Sequence, residues 1–343
     1  MGQIAWADRH NSDEIEEALG FPLRWVETAH FRLGVGLGTY AAPVDSTEKK
    51  KLKAELKALS KQIPKLDTST RKIDPWVRTH LFARRLERLY EEFCASLGVT
   101  DEDFAEAGWG EGPFLGQKGK FCVLIVEEAS AVGRYASRFG TASTGGAVRH
   151  NFELTGSLYF GMANEHLDEL TRNDTALHCS VVYGVTQNLL SGYRGFRRTV
   201  PRWLEEGVSQ ALLRRVDPRW IVMPPGARGR RITEDTWNWE PRVRARVERE
   251  IAPDFGTLLS WDASTPLDIP EVMTTWSKVE FLLTDGGEGM RRFLDGVKEP
   301  IPGFAGAASP QEQATLMAAA WGRPLEQLEV DWREWVLETY PKR

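Results

Sequence analysis

Two adjacent carboxylates, Glu205 and Glu206, lie in the segment VPRWLEEG at 200–207. A carboxylate can ligate a metal ion or act as a general base. In the apolar segment before it, Tyr183 and Gln187 are four residues apart and share one face of a helix, and 18 residues separate Gln187 from Glu206. Two histidines four residues apart on one helical face can bind zinc together with a carboxylate from another element. This segment has no such histidine pair, and neither a tyrosine nor a glutamine serves well as a zinc ligand.

Residues 173–215 must therefore form two helices joined by a short basic loop. On the first helix, His178 shares a predicted core-facing stripe with Val181, Val182, Val185 and Leu189. We interpret His178 as a core histidine with a hydrogen-bonded ring. Tyr183 and Gln187 lie on the opposite face, where a cleft is expected. On the second helix, Glu206 shares a face with Trp203, Gly207 and Gln210.

The rest of the chain predicts an α+β fold, with a mixed-sheet α/β lobe followed by a mainly helical lobe. Strands are expected at the apolar segments 25–38, 120–126 and 153–161. Helices before residue 175 are expected at 46–61, 76–97 and 128–139. Later helices are expected at 272–283 and at 311–340 with an interruption at 322–324. The predicted division is an extension at 1–24, the α/β lobe at 25–200 and the helical lobe at 201–343.

Composition limits the possible partners and compartments. With 343 residues and a net charge of −5, the chain has no overall attraction to nucleic acid or anionic membrane, and we expect no nucleic-acid partner. Its three scattered cysteines predict neither a disulfide framework nor a cysteine metal site. No apolar run is long enough for a membrane span. The polar start after Met1-Gly2 is compatible with removal of a leader, so extracytoplasmic and cytoplasmic locations both stay open, as does the oligomeric state.

Other motifs are weaker candidates. Gly34, Gly36 and Gly38 form GxGxG, but no helix follows directly, so a strand end is a better interpretation than a dinucleotide fingerprint. His150 and His166 are interpreted as surface residues. The lysine-rich face of 46–61 is interpreted as a solvated surface.

Four segments together resemble the gluzincin, or peptidase MA-like, zinc metallopeptidases, specifically bacterial members of the DUF1570-like type. The fairly specific one is VPRWLEEG, which is similar to the P-x-W-L-x-E-G element of that family. The weaker ones are ETAHFR at 27–32, WSKVEFL at 276–282, and a closing segment from Trp321-Gly322 to DWREWV at 331–336. The resemblance covers residues 25–340 approximately.

The resemblance implies a gluzincin-like fold, with the site helices between its two lobes. It assigns Glu206 as the third zinc ligand and places the HExxH motif on Tyr183, Gly184 and Gln187. Both histidines and the general base are therefore absent, and the motif is degenerate. We expect a lost zinc site, no cofactor, and vestigial positions at Tyr183, Gly184, Gln187 and Glu206. Glu205, Trp203 and Gln210 lie nearby, and Tyr183 is a candidate hydrogen-bond partner of Glu206.

The leading hypothesis is a catalytically inactive pseudopeptidase. It would bind a polypeptide or another protein in the vestigial cleft, or serve a purely structural role. One alternative is a hydrolase with metal-free chemistry that uses Glu205, Glu206 and Tyr183. The other is a metalloprotein with a relocated site, formed by Glu206 and a histidine from elsewhere.

Overall fold

A computed structural model describes residues 11–104, 112–141, 143–144, 147–152, 157–167, 172–196, 198–224, 237–301 and 306–342. The described part contains twelve α-helices: α1 Ser12–Leu19, α2 Ser46–Leu59, α3 Pro75–Leu97, α4 Ala129–Phe139, α5 Asp174–Gly192, α6 Arg202–Val216, α7 Glu240–Glu248, α8 Phe255–Leu259, α9 Ile269–Leu282, α10 Glu288–Lys298, α11 Pro310–Trp321 and α12 Leu325–Thr339. Its strands are β1 Arg24–Glu27, β2 Phe31–Gly36, β3 Tyr40–Ala41, β4 Lys72–Ile73, β5 Phe121–Val126, β6 Ser143–Thr144, β7 Ala147–Phe152, β8 Ser157–Ala163, β9 Arg198–Thr199 and β10 Gly306–Ala307.

Six strands form a mixed sheet in the order β1-β2-β5-β8-β7-β6. The central strands β2, β5 and β8 are parallel, whereas β1, β7 and β6 pair antiparallel with their neighbours. Every residue of β5 is buried. This confirms the mixed α/β class and the central buried strand that the apolar segment at 120–126 predicts.

The contacts of the chain group into two compact units. The first comprises Met1–Glu91 and Lys118–Asn188, and the second comprises Glu92–Gln117 and Leu189–Arg343. The first contains the six-stranded sheet with α1, α2 and α4, as well as most of α3 and α5. The second contains α6 to α12 and the parallel pair β9–β10, so the described chain after α5 is mainly helical, as predicted.

In the first unit, α1 and α4 pack on one face of the sheet. Their core includes Ile15, Leu19, Val132 and Tyr135 together with Cys122, Leu124 and Val126 of β5. A separate apolar cluster, which includes Leu52, Leu56, Leu59, Ile73 and Leu81, joins α2, β4 and α3. These one-sided apolar surfaces explain why α2 and α3 form where the helical periodicity predicts them.

Two details differ from the sequence-based predictions. The single strand expected at 25–38 is a hairpin of β1 and β2, because the Thr28 hydroxyl accepts a hydrogen bond from the Phe31 amide in the turn between them. The start of the 46–61 helix at Ser46-Thr47 predicts a serine or threonine cap, whereas the observed cap of α2 is Asp45, whose side chain accepts hydrogen bonds from the Thr47 and Glu48 amides.

The glycine pattern GxGxG lies in and directly after β2, and no helix follows it. A Cβ atom on Gly34 would lie 2.9 Å from the Trp25 ring, and one on Gly36 would lie 2.6 Å from the Phe21 ring. These glycines allow side chains to cover the strand closely, which confirms the interpretation as a strand feature. Among the described residues, no helix is both long and apolar enough to cross a membrane.

Candidate functional site

The side chains of α5 that the resemblance assigns to the first half of a zinc site are buried. Tyr183 is 6% exposed and Gln187 is 9% exposed. Every residue from 181 to 190 is buried, so the side of α5 that carries Tyr183 and Gln187 is covered as fully as the apolar stripe. The expected hydrogen bond between Tyr183 and Glu206 stays a prediction.

Gln187 is held by an arginine of the sheet. Arg149 on β7 donates one guanidinium hydrogen bond to the Gln187 side-chain oxygen at 2.9 Å and another to the Gln187 carbonyl oxygen at 3.0 Å. A third, from Nε to the side-chain oxygen of Asn188, is 2.9 Å long. A fixed positive charge therefore lies at hydrogen-bond distance from the position to which the resemblance assigns the second histidine.

Gly184, to which the resemblance assigns the general base, lies against the sheet. A Cβ atom at this position would be 2.1 Å from Cε2 of Phe160 on β8. Phe160 is itself buried, so its ring has little room to move. Glycine is thus explained here by the close approach of α5 and β8.

We expect Gly184→Ala to lower the free energy of unfolding by about 1–3 kcal/mol, because the added methyl overpacks the Phe160 contact. The matched control is Gly133→Ala, since Gly133 is an exposed position inside α4 where an added Cβ meets nothing within 4 Å. There the better helix propensity of alanine should raise the free energy of unfolding by up to about 1 kcal/mol. Urea denaturation followed by circular dichroism measures both, and shifts of the same sign would contradict the packing argument.

His178 is partly buried near the start of α5, and its ring meets the Phe82 ring edge-on at 6.4 Å. Burial lowers the pKa of His178 well below its ordinary value, and the positive charge of Arg85 lowers it further. The imidazole is therefore neutral at pH 7, and its contact with Phe82 agrees with the predicted core-facing orientation. The predicted hydrogen bond of its ring stays a prediction. Of the two histidines interpreted above as surface residues, His150 is partly buried on β7 and His166 is exposed.

In the second unit, Trp203 lies at the centre of the helical core. It is fully buried, its ring centroid is 5.7 Å from that of Phe293, and its Nε1 donates a 3.0 Å hydrogen bond to Gln313 on α11. The buried Gln313 side chain in turn donates to the Ala308 carbonyl oxygen at 2.8 Å. The tryptophan of the VPRWLEEG segment is thus a packing residue that links α6 to α11.

Glu206 and Gly207 are also buried on α6. The Glu206 carboxylate accepts a 2.8 Å hydrogen bond from the side-chain nitrogen of Gln210, which also donates to the Val222 carbonyl oxygen at 2.6 Å. A Cβ atom on Gly207 would lie 2.4 Å from Val279, so glycine permits the close packing of α6 on α9. The glutamate that resembles a third zinc ligand is therefore held by a neutral amide on its own helix.

Glu205 is partly buried and interacts electrostatically with Lys298. Burial lowers the pKa of Lys298 to about 7, while the Glu205 carboxylate opposes this shift and the Arg198 cation adds to it. The Lys298 ammonium donates to the carbonyl oxygens of Ser191 and Arg198 at 2.9 and 2.7 Å. Lys298 thereby ties the end of α5 to β9.

The WSKVEFL segment on α9 serves packing as well. Lys278 is fully buried, forms an ion pair with Glu329, and lies 3.7 Å from the ring centroid of Trp332. Trp276 stacks on Tyr340 with 5.9 Å between ring centroids and lies 4.5 Å from the Arg214 guanidinium. These contacts bring α9, α12 and α6 together through cation–π and aromatic interactions.

A buried ionic network in the first unit has no counterpart in the sequence-based predictions. Arg85 on α3 pairs with Asp174 at 2.6 Å and with both carboxylate oxygens of Glu55 at 2.9 and 2.8 Å. Arg78 lies 3.5 Å from Asp174 and 3.4 Å from Glu127 at the end of β5. The sequence of α3 does show charged residues recurring among helically spaced apolar residues, which is a signal for such a network. The partners of these charged residues could not be predicted, because they are distant in sequence.

Within the described ranges, no three or more histidine, cysteine, aspartate or glutamate side chains are grouped so that they could hold a metal ion. The three cysteines are buried free thiols, as their spacing predicts.

The chain matches no known family model, no curated protein and no solved structure.

Proposed function

We propose that this chain is a non-catalytic protein of the gluzincin metallopeptidase type that carries no zinc and binds a polypeptide or protein partner. The observation that supports the loss of zinc is the contact of Arg149 with Gln187. The resemblance assigns this position to a zinc ligand, and the chain uses it to anchor an arginine instead.

Electrostatics explains why this contact opposes a metal ion. Two unit charges 4 Å apart repel with about 4 kcal/mol at an effective dielectric constant of about 20, and zinc carries two charges. The Arg149 guanidinium donates to the Gln187 oxygen at 2.9 Å. A dication bound at that oxygen would face the guanidinium at close range, so both cannot occupy the position favourably.

The base position supports the same proposal. Water activation at a zinc site of this type needs a carboxylate directly after the first histidine. Here Gly184 lies so close to Phe160 that an added Cβ would be 2.1 Å from the ring. The chain therefore lacks the base and also the space to regain it.

The polypeptide partner is inferred from the resemblance alone, since a peptidase scaffold is built to hold a peptide chain. The alternative function, a hydrolase with metal-free or relocated-metal chemistry, depends on the buried Glu206 carboxylate. Incubating the protein with labelled casein, an unfolded polypeptide, distinguishes the binding function from the hydrolase function. Binding without cleavage products is expected, whereas cleavage would favour the hydrolase.

Zinc binding provides the sharper test. We expect elemental analysis of the purified protein to give substoichiometric zinc. We also expect Tyr183→His with Gln187→His, two histidines at helical spacing, to bind zinc at least about tenfold more tightly when Arg149→Met is added, because the competing cation is gone. The control is Arg138→Met, which removes an exposed arginine of α4 and should leave zinc affinity unchanged.

Circular dichroism verifies that each variant is folded before zinc is titrated. Stoichiometric zinc in the unmodified protein would overturn the proposal. So would equal zinc affinity of the folded two-histidine variant with and without Arg149→Met.

A further inference from the structure

The outward face of α2 carries a series of exposed lysines. Residues 46–72 contain nine lysines and arginines but three acidic residues. All eight lysines of this segment are exposed, and seven of them form no ion pair within the described part of the chain: Lys49, Lys50, Lys53, Lys57, Lys61, Lys65 and Lys72. Lys49, Lys53 and Lys57 recur every four residues within α2, so they lie toward one side of the helix, and Lys61 follows two residues after its end.

The glutamates of α2 are turned away from these lysines. Glu48 is buried. Glu55 is engaged by Arg85 of α3 through two hydrogen bonds of 2.9 and 2.8 Å. Because Glu48 is buried and Glu55 is engaged by Arg85, the exposed charged residues within α2 are all lysines.

The basic surface extends beyond one helix. Arg85 of α3 contacts Glu55 of α2 at 2.9 and 2.8 Å, and Arg84 and Arg88 belong to the same helix α3. Burial raises the pKa of Glu55, but the charges of Arg85, Arg88 and Arg84 together lower it below its ordinary value. Arg84 and Arg88 are exposed. The cations therefore cover two neighbouring helices, and α2 alone is 14 residues, or about 21 Å, long.

Two exposed apolar side chains lie at the N-terminal ends of α2 and α3. Val44, directly before the cap of α2, is 99% exposed, and Trp76 at the start of α3 is 48% exposed. The strands beside them are paired, since Ala41 of β3 is opposite Lys72 of β4. The apolar face of α2 itself is used in the core through Leu52, Leu56 and Leu59, so this helix cannot insert into a bilayer.

We propose that this basic surface of α2 and α3 docks the protein on the surface of an anionic phospholipid bilayer. The contact is peripheral and electrostatic, with Lys49, Lys50, Lys53, Lys57 and Lys61 facing the headgroups. A charge of −5 for the whole chain opposes long-range attraction, but screening limits that repulsion to about 10 Å at 0.1 M salt.

The distribution of the cations favours a bilayer over other anionic partners. A surface two helices wide matches a plane of charge better than a single nucleic-acid strand. Lysine is a point charge, whereas arginine is preferred for bidentate recognition of individual phosphates or carboxylates. An exposed tryptophan at the edge of the patch also suits the headgroup region, where this residue is enriched.

Vesicle sedimentation of the full chain tests the proposal. We expect binding to vesicles of phosphatidylcholine with phosphatidylserine, no binding to pure phosphatidylcholine, and weakening by salt. The variant Lys49→Gln/Lys53→Gln/Lys57→Gln should lower the partition coefficient about a hundredfold, from about fivefold per lysine at about 1 kcal/mol each. Glutamine keeps a similar helix propensity, and circular dichroism confirms the fold.

The control variant removes three exposed cations of the other unit, Arg249→Gln/Arg323→Gln/Lys342→Gln, with the same change in net charge. It should bind the vesicles as the unmodified protein does. An equal loss in both variants, or failure of the unmodified protein to bind anionic vesicles at low salt, would overturn the proposal. Tighter binding to single- or double-stranded DNA than to the vesicles at the same salt would overturn the assignment to lipid.

Discussion

Replacing Trp203 by alanine is expected to lower the free energy of unfolding by about 3–5 kcal/mol. The side chain is fully buried, and its ring packs against Phe293 and Phe255 at centroid distances of 5.7 and 6.5 Å. Truncation leaves a cavity among these rings. It also leaves the Gln313 oxygen, which accepts the 3.0 Å hydrogen bond from Nε1, without this donor.

Two matched variants separate packing from hydrogen bonding. Trp203→Phe keeps an aromatic ring and loses the donor, so we expect a loss of about 1–3 kcal/mol. Trp76→Ala truncates a tryptophan that is 48% exposed and should change the free energy of unfolding by about 0.5 kcal/mol. Urea denaturation followed by circular dichroism measures all three. A Trp203→Ala loss as small as that of Trp76→Ala would contradict the central position of Trp203 in the core.

The expected loss of stability bears on the role of the VPRWLEEG segment in this chain. Trp203 packs in the core, Gly207 permits the contact with Val279, and Glu206 is held by Gln210. Packing explains each of these residues without a metal ion. The segment that resembles a zinc peptidase therefore makes contacts that stabilise α6, and the zinc measurements decide between a structural and a metal-binding role.

Elements with a one-sided apolar pattern could be predicted from the sequence. The helix expected at 46–61 is α2 at Ser46–Leu59, and that expected at 76–97 is α3 at Pro75–Leu97. The interruption expected at 322–324 is the break between α11 and α12, where Gly322 has a φ of 65°. Local periodicity determines these elements, so a single sequence suffices.

Elements whose stability comes from distant partners could not be predicted in the same way. The strand β7 carries Arg149, His150 and Asn151 in succession, and this polar run gives no strand signal. Arg149 meets Gln187 across 38 residues of sequence, and periodicity does not show such a contact. The contacts of Gln187 bear most directly on the candidate site. They could not be predicted from the distribution of residues on the helix faces.

Replacing Arg85 by methionine is expected to lower the free energy of unfolding by about 3–5 kcal/mol, because it leaves buried carboxylates without their main cation. The Arg85 and Asp174 side chains are both 8% exposed. The guanidinium holds α3 to α5 through Asp174 and to α2 through Glu55. Although burial opposes it, the two carboxylates raise the pKa of Arg85 above its ordinary value, so the arginine stays charged.

Three further variants identify the cause of that loss. Arg85→Lys keeps the charge without the two-pronged contact to Glu55 and should recover part of the stability. Adding Asp174→Asn to Arg85→Met should cost less than the sum of the single changes, because the remaining charge is removed. Arg323→Met breaks a surface ion pair with Asp331, in which the Arg323 side chain is 56% exposed. It should change the free energy of unfolding by about 1 kcal/mol or less. Strict additivity of Arg85→Met and Asp174→Asn in urea denaturation would show that the buried pair does not join α3 to α5.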